Sequence, residues 1–232
     1  MPNIVKNTTI PGLFDLIAPH SCRGCGRTGA ILCDCCKNNI RKQYVNICPI
    51  CKTKNPTGSC QNCHNLPPTF IIGNRNDLIG NLVHDYKYHS VRALAKPLAE
   101  ILNQTLPSTN NPVIIIPLPT ISKHIRERGF DHTLLLAKKL AKKRPNYQVS
   151  KLLVRTNNTV QVGSSRSERI AQTDQAYAIK NSSYLNPDTT YLLLDDVWTT
   201  GASMQSAIKK LRHAGANKIT LALLALSHIE QQ

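Results

Sequence analysis

The 232-residue sequence contains few acidic and few aromatic residues. Asp and Glu number 13 against 29 Lys and Arg, a formal net charge of +16, and aromatic residues make up 5% of the chain. Such an excess of positive charge favours a polyanionic partner, namely nucleic acid, anionic lipid or a heavily phosphorylated small molecule. The alternative is a basic, solvated surface that has no specific partner.

Long hydrophobic runs are also absent. No stretch approaches the ~20 apolar residues that cross a bilayer, and the first 20 residues lack the basic flank and apolar block of a signal peptide. We therefore expect a cytoplasmic protein that does not span a membrane. The hydrophobic content of 41% is enough for one α/β domain and a small additional segment.

Cysteine is missing from the 169 residues after Cys63, because all nine cysteines lie between Cys22 and Cys63. Eight of them form four pairs with CxxC spacing, and two such pairs can complete a tetrahedral zinc site. In a reducing compartment this pattern favours zinc over disulfide bonds. The predicted metal ligands are Cys22, Cys25, Cys33, Cys36, Cys48, Cys51, Cys60 and Cys63.

The spacing leaves the pairing of these ligands open. Two sequential four-cysteine sites close the shortest loops, but interleaved pairing is also compatible with the sequence. Cys35 competes with Cys36 for one position, and His20 and His64 flank the cluster as alternative ligands. Because every position is filled, we expect one or two structural zinc ions that staple a short segment or present it to phosphate backbones.

After "NLPP" (residues 65–68) the sequence alternates between strand-like and helix-like stretches. Strands are predicted at "TFIIG", "VIII", "YQVSKLLVR", "AYAI", "YLLLDDV" and "KITLALLAL", with amphipathic helices between most of them. Strands that alternate with helices predict a parallel sheet covered on both faces.

One stretch, "YLLLDDVWTTGAS" (residues 191–203), carries a buried strand into two acids, hydroxyl residues and a glycine before a helix. Ligands of parallel sheets bind beyond the carboxyl ends of strands, and free N–H groups at a helix start favour an anion. Gly201 allows close backbone approach. Asp195 and Asp196 can accept hydrogen bonds from two sugar hydroxyls, with Mg²⁺ as a bridging ion. The stretch therefore predicts a ribose 5-phosphate site.

These residues resemble the 5-phosphoribosyl-1-diphosphate (PRPP) motif of type I phosphoribosyltransferases. The cysteine pairs together with "PLPTISKHIRERGFD" (residues 117–131) resemble the ComF (ComFC) family of competence proteins of natural transformation. The resemblance implies an N-terminal helix and double zinc ribbon in residues 1–66. It implies a parallel-sheet, type I phosphoribosyltransferase-like (Rossmann-like) domain in residues 67–232, with Mg²⁺ bound together with PRPP.

The resemblance also implies residue roles. Residues 117–120 would form a diphosphate loop, Arg126 and Arg128 would neutralise diphosphate oxygens, and residues 156–175 would form a lid. Asp195, Asp196 and Arg128 would be the catalytic residues. The implied PRPP ligands are Pro117, Leu118, Pro119, Thr120, Arg126, Asp195, Asp196, Val197, Trp198, Thr199, Thr200, Gly201, Ala202 and Ser203, and the lid residues are Arg155, Thr159, Gln161 and Arg169.

Some positions have a plainer interpretation or depart from the family. Gln172 stands where the family has Asn, and "QAY" (residues 175–177) stands where it has Gly-Ala-Phe. Arg126 and Arg128 could be solvated helix charges. Trp198 either covers the sugar, stacks on a base or packs in the core, and Lys87 either contacts phosphate or lies along a helix edge.

Three functional hypotheses follow. The first is a competence protein that handles incoming single-stranded DNA beside a helicase and other DNA-uptake proteins, at the inner face of the membrane through those partners. The second is an active phosphoribosyltransferase that acts on a base or nucleotide, and the third is a zinc adapter without activity. Residues 120–170 hold twelve Lys and Arg against three acids, which favours salt-sensitive binding of DNA.

Overall fold

The computed structural model describes residues 20–42, 46–63, 65–156, 176–180 and 184–227. The strands are β1 (Thr69–Asn74), β2 (Val113–Pro117), β3 (Tyr147–Val149), β4 (Leu153–Arg155), β5 (Tyr177–Ile179), β6 (Thr190–Trp198) and β7 (Lys218–Leu226). The helices are α1 (Asp34–Lys42), α2 (Leu78–Tyr88), α3 (Ala95–Thr105), α4 (Ser122–Arg128), α5 (His132–Ala141) and α6 (Ala202–His213). No helix in these described ranges is both long enough and apolar enough to cross a membrane.

Five strands form one parallel sheet in the order β1-β7-β6-β2-β3. Side chains of β6 alternate between its two faces. Leu192 and Leu194 pack in a core cluster with α2, α3 and α5, whereas Tyr191 and Leu193 pack in a second cluster with α6. A strand buried on both faces requires a continuous apolar run, which "YLLL" supplies. The predicted parallel-sheet α/β fold, preceded by a cysteine-rich segment, is confirmed.

The sheet order brings the two predicted loops together. Pro117 of β2 pairs with Leu194 of the neighbouring strand β6. Because the two strands are parallel, the segments that follow them leave the sheet at the same edge. Strand β6 continues to Trp198, so both aspartates and Val197 belong to the strand, and the loop before α6 is only residues 199–201.

Two predicted strands differ from the structure. "YQVSKLLVR" is not one strand, because β3 lies in the main sheet and β4 pairs antiparallel with β5 in a separate ribbon. "AYAI" does contain a strand, β5, but this strand lies outside the main sheet. Short strands of three residues carry too little periodicity to reveal their partner.

The cysteine-rich segment packs directly on the sheet domain. Leu32 and Ile40 are buried in the same core cluster as α2 and α3. The buried side chain of Asn46 donates to the carbonyl of Thr69 at 2.8 Å and accepts from the N–H of Ile71 at 3.0 Å. Strand β1 is an edge strand, so these bonds satisfy backbone groups that no neighbouring strand can reach.

Candidate functional site

Asp196 is the centre of a buried charged cluster at the carboxyl end of β6. Its Oδ2 atom lies 2.9 Å from Nζ of Lys87, on α2, and 2.9 Å from Nε2 of His132, on α5. Asp196 is only 3% exposed. Burial opposes ionisation, but the hydrogen bond from His132 and the charge of Lys87 prevail and hold the pKa of Asp196 below its usual range. The residue is therefore a carboxylate at neutral pH.

Arg128 fixes the tautomer of His132. The guanidinium Nη1 of Arg128 lies 2.5 Å from Nδ1 of His132, and a guanidinium group can only donate. Nδ1 therefore accepts, so the ring proton is on Nε2 and is donated to Asp196. Arg128 is 9% exposed and also donates to the backbone carbonyl of Lys87. Arg128 thus lies behind the carboxylate of Asp196, and its contact with diphosphate oxygens stays a prediction.

Strand alternation places the Cβ atom of Asp195 on the opposite face of the sheet to that of Asp196, and the residue is half-buried. A carboxylate oxygen of Asp195 still lies within 4.8 Å of one of Asp196. Its Oδ1 atom accepts the backbone N–H of Asp196 at 2.8 Å. Burial and the negative charge of Asp196 raise the pKa of Asp195 well above its ordinary value. The two adjacent acids therefore differ, because cations keep one ionised and the other holds its proton more tightly.

Tyr177, on β5, lies next to the site but is not among the predicted site residues. In the sequence it is notable only as part of "QAY", which departs from the family pattern. Its hydroxyl interacts with the side chain of Ser203 and lies 3.3 Å from Nη1 of Arg155. Burial raises the pKa of Tyr177, and Arg155 opposes this rise. The tyrosine therefore connects the β4–β5 ribbon to the start of α6 on the face of Asp195.

The start of α6 has the features of an anion site. Thr199, Thr200 and Ser203 are exposed, and the first N–H groups of the helix have no partner within the helix. Gly201 adopts φ = 78° and lies against the ring of Trp198. The indole is 2% exposed and packs in the core, so a ligand at this loop would meet the backbone rather than the indole.

The turn after β2, the predicted diphosphate loop, has few free backbone N–H groups. Pro117 and Pro119 have no N–H group, and the N–H of Leu118 is donated to the carbonyl of Leu194 at 2.8 Å. Thr120 is the one remaining residue of the turn with a backbone N–H to offer. Its hydroxyl lies 3.3 Å from Oδ1 of Asp131. An anion at this turn would therefore depend on side-chain cations for much of its binding.

The other predicted residues lie around this edge or outside the described chain. Arg126 is exposed on α4, and Arg155 ends β4. Thr159, Gln161 and Arg169 lie outside the described residues, as does most of the predicted lid. The lid therefore stays a prediction.

The structure gives no support to a resident Mg²⁺ ion at the aspartates. His132, Asp195 and Asp196 each bring a potential ligand atom within 4.8 Å of the others. Mg²⁺ prefers oxygen ligands, however, and Nε2 of His132 already carries the proton that Asp196 accepts. The ammonium group of Lys87 occupies the position beside Asp196 that a bound cation would take. These residues do not fit a resident Mg²⁺ ion.

The cysteines form two sequential tetrads. Within each tetrad the four sulfur atoms lie within 4.8 Å of one another, and the groups are Cys22, Cys25, Cys33 and Cys36, and Cys48, Cys51, Cys60 and Cys63. Sulfur atoms of neighbouring pairs are 3.7 Å apart in the first tetrad and 3.4 Å apart in the second. Two thiolates on a tetrahedral zinc ion, with bonds of about 2.3 Å, lie about 3.8 Å apart. Both tetrads are compatible with zinc, and the sequential pairing is the one observed.

Backbone amides support the first tetrad. The N–H groups of Gly24 and Cys33 each lie 3.4 Å from the sulfur of Cys22. Burial opposes ionisation of this thiol, but the backbone hydrogen bonds lower the pKa of Cys22 to about 6. Such bonds favour the thiolate that a metal requires. Cys35 and His20 are exposed and belong to neither tetrad, and His64 lies outside the described residues.

Comparison with known proteins gives this arrangement a family context. No protein-family model matches the chain. Competence protein ComFC of Bacillus subtilis (strain 168) is 24% identical over 199 residues, which cover 79% of this chain and 79% of the relative. Competence protein F of Haemophilus influenzae is 25% identical over 171 residues, which cover 69% and 75%. The chain is thus similar in sequence to competence proteins of the ComF type. A ComFC protein of Streptococcus pneumoniae is 23% identical over 194 residues, covering 81% and 84%.

Two solved structures illustrate the similarity of this chain to known folds. A glutamine PRPP amidotransferase from B. subtilis, complexed with ADP and GMP, has a TM-score of 0.42 and 16% identity; the match covers 60% of this chain and 30% of that one. A hypoxanthine phosphoribosyltransferase from Staphylococcus aureus has a TM-score of 0.34 and 12% identity, covering 62% and 69%.

Proposed function

We propose that this protein is a competence protein whose site at the end of β6 binds PRPP or a related ribose 5-phosphate, and whose basic surface handles single-stranded DNA during uptake. A competence helicase and other DNA-uptake proteins are its proposed partners, and the cytoplasm is its proposed location. The observation that supports the sugar-phosphate site is the position of Asp195 and Asp196 at the end of β6, a few residues before the exposed hydroxyls around the start of α6.

The site offers one set of groups for the phosphate of a sugar phosphate and another set for its hydroxyl groups. Hydroxyl and amide donors of residues 199–203 suit the phosphate, because an anion is stabilised at a helix start. Asp195 and Asp196 suit hydroxyl groups, because carboxylates accept strong hydrogen bonds from them. Lys87 already neutralises Asp196, so a phosphorylated ligand meets less repulsion than two free carboxylates would cause. Mg²⁺ is proposed only as a counter-ion that accompanies the ligand.

A surface made of α1, α3 and α5 supports the proposed contact with DNA. One carboxylate, Glu100 of α3, accepts from Lys37 of α1 at 3.1 Å and from Lys143, two residues after α5, at 3.0 Å. This bridge brings the cysteine-rich segment and the sheet domain onto one basic face. The exposed cations in or next to these helices, which we assign to the proposed face, include Arg41, Lys42, Lys138 and Lys142. Cations in such an array bind a phosphate backbone without reading its sequence.

Isothermal titration with PRPP and Mg²⁺ tests the sugar-phosphate site, with Asp195→Asn as the decisive variant. We expect wild type to bind and the variant to lose at least about tenfold in affinity, because Asn replaces one carboxyl oxygen with an NH₂ group that cannot accept a hydrogen bond. Asp188→Asn is the matched control. Asp188 is exposed, lies just before the amino end of β6, away from the site, and pairs with Lys218. No binding by wild type, or equal binding by Asp195→Asn, would overturn the proposal.

The free energy of unfolding of Asp195→Asn shows whether a loss of PRPP affinity results from misfolding of the variant. Because the pKa of Asp195 is raised in the folded protein, ionisation of this residue disfavours the folded state. Its contribution to the free energy of unfolding is therefore fully present below the pKa of the unfolded chain and is lost as the pH rises. Asp195→Asn should therefore be more stable than wild type at pH 7, and this gain should vanish near pH 3. Urea unfolding at the two pH values measures both.

An active phosphoribosyltransferase that acts on a base or nucleotide is the second candidate. A small cavity of about 90 Å³ beyond β6 and β7 supports it, with Arg75, His84, Lys87 and Thr199 in its lining. Lys87 connects this cavity to Asp196, so an acceptor could lie next to the sugar. Release of diphosphate from PRPP with a panel of bases and nucleotides tests it. If titration shows that PRPP is bound but no acceptor causes release of diphosphate, the result would contradict enzyme activity and leave the proposed PRPP binding intact.

A further inference from the structure

We propose that His84, Asp85 and His89 form a third metal site, which takes a divalent transition metal of the zinc, nickel and copper class. The three residues lie at the end of α2, and a ligand atom of each lies within 4.8 Å of the others. His84 and His89 are exposed, whereas Asp85 is half-buried. This cluster is separate from the cysteine tetrads and does not depend on the proposed sugar-phosphate site.

The backbone after α2 brings the ligands together. His89 follows the helix, and Ser90 adopts the left-handed value φ = 55°, which reverses the chain. The carbonyl of Asp85 accepts the N–H groups of both His89 and Val91 at 3.1 Å. Nδ1 of His89 therefore lies 2.8 Å from Oδ1 of Asp85. The rings of His84 and His89 meet edge to face, with their centroids 4.9 Å apart.

The two oxygens of Asp85 have different partners. Oδ2 lies 3.6 Å from Nη1 of Arg23, in the first cysteine pair, while Oδ1 faces His89. A carboxylate that binds metal through one oxygen is commonly oriented by a hydrogen bond or ion pair to the other. Arg23 can supply that orientation, and a metal ion would take the place of the proton between Oδ1 and Nδ1.

The ligand types select the metal class. Two imidazoles with one carboxylate suit zinc, nickel and copper, whereas Mg²⁺ and Ca²⁺ prefer oxygen ligands alone. Metal–ligand bonds of about 2.0–2.1 Å place the ligand atoms about 3.3 Å apart, so the exposed imidazoles need only a small movement. Three protein ligands leave a fourth position open, as in catalytic rather than structural zinc sites. His84 also lines the cavity of about 90 Å³ that Lys87 and Thr199 line. The open coordination position of the metal would therefore lie at the rim of that cavity.

Zinc titration of the full-length protein without a histidine tag tests the site, after both cysteine tetrads have been loaded with zinc. We expect one additional equivalent, bound more weakly than the first two, and a loss of at least tenfold in its affinity in His84→Ala and in His89→Ala. His124→Ala is the matched control. His124 lies 3.1 Å from an acid, Glu127, but among the described residues no second histidine joins that pair.

Electron paramagnetic resonance of the protein with one equivalent of added Cu²⁺ provides a second measurement. Wild type should show coupling to two imidazole nitrogens, and each histidine variant should show one. The proposal would be overturned by absence of a third zinc equivalent, or by an equivalent that survives in His89→Ala. Loss of the equivalent in His124→Ala would overturn it as well.

Discussion

At the scale of single residues, Gly201 joins the loop of the candidate site to the core. A Cβ atom at this position would lie 2.2 Å from the buried ring of Trp198, and its φ of 78° is unfavourable for any side chain. We expect Gly201→Ala to lower the free energy of unfolding by about 3 kcal/mol, from the left-handed backbone and from displacement of the ring together. Urea unfolding followed by tryptophan fluorescence measures this loss, because Trp198 is the sole tryptophan.

Gly129 is the matched control for that change. It has the same φ of 78°, but a Cβ atom added there would meet nothing within 4 Å apart from its own chain neighbours. Gly129→Ala should therefore cost only the backbone contribution, about 1 kcal/mol. Equal losses in the two variants would show that Gly201 is needed for its backbone angle alone, and not for its contact with the indole.

At the scale of secondary structure elements, Arg144 closes the carboxyl end of α3 although it belongs to the basic stretch 137–144. Its guanidinium donates to the carbonyls of Asn103 at 2.6 Å and Leu106 at 2.8 Å. These carbonyls end the helix and have no partner within it. Arg144→Ala should lower the free energy of unfolding by about 2–3 kcal/mol, as expected for lost charge-assisted hydrogen bonds, with urea unfolding as the measurement.

Lys142 separates this structural role from DNA binding. It is exposed two residues earlier in the chain, so Lys142→Ala should leave the free energy of unfolding within about 0.5 kcal/mol of wild type. Its affinity for a fluorescent single-stranded oligonucleotide should fall, and the salt dependence of binding should become shallower. A Lys142→Ala protein that binds like wild type would argue against the α1–α3–α5 face as the DNA surface.

Elements with a local pattern could be predicted from the sequence, and contacts between distant residues could not. The apolar run of β6, the CxxC pairs and the loop before α6 each follow from spacing within a few residues. The cluster of Lys87, Arg128, His132 and Asp196 joins α2, α4, α5 and β6, and no local spacing reveals it. For the same reason Arg128 and Arg144 resemble surface charges in the sequence, although their guanidinium groups are engaged with the protein itself.

At the scale of the whole molecule, the cysteine-rich segment protects the edge of the sheet. Asn46 bonds to the backbone of β1, and the carbonyl of Gly58 accepts the N–H of Thr69 at 2.8 Å. Chelation of zinc should release this cover, because a segment of this size has too small a core to hold its fold without metal. An uncovered edge strand pairs readily with other chains. We therefore expect chelator to cause aggregation, measured by light scattering, and prompt re-addition of zinc to prevent it.

Asn46→Ala distinguishes loss of the edge cover from a general effect of metal removal. With zinc bound, this variant leaves the carbonyl of Thr69 and the N–H of Ile71 without the partner seen here. Each buried unpaired group costs about 1–3 kcal/mol, so the variant should be destabilised and should aggregate at a lower temperature than wild type. Asn38→Ala, on the exposed face of α1, is the control and should behave as wild type. If the protein stays monodisperse after a chelator has removed zinc, β1 is shielded by the sheet domain itself. The cysteine tetrads would then contribute only to the proposed DNA-binding face.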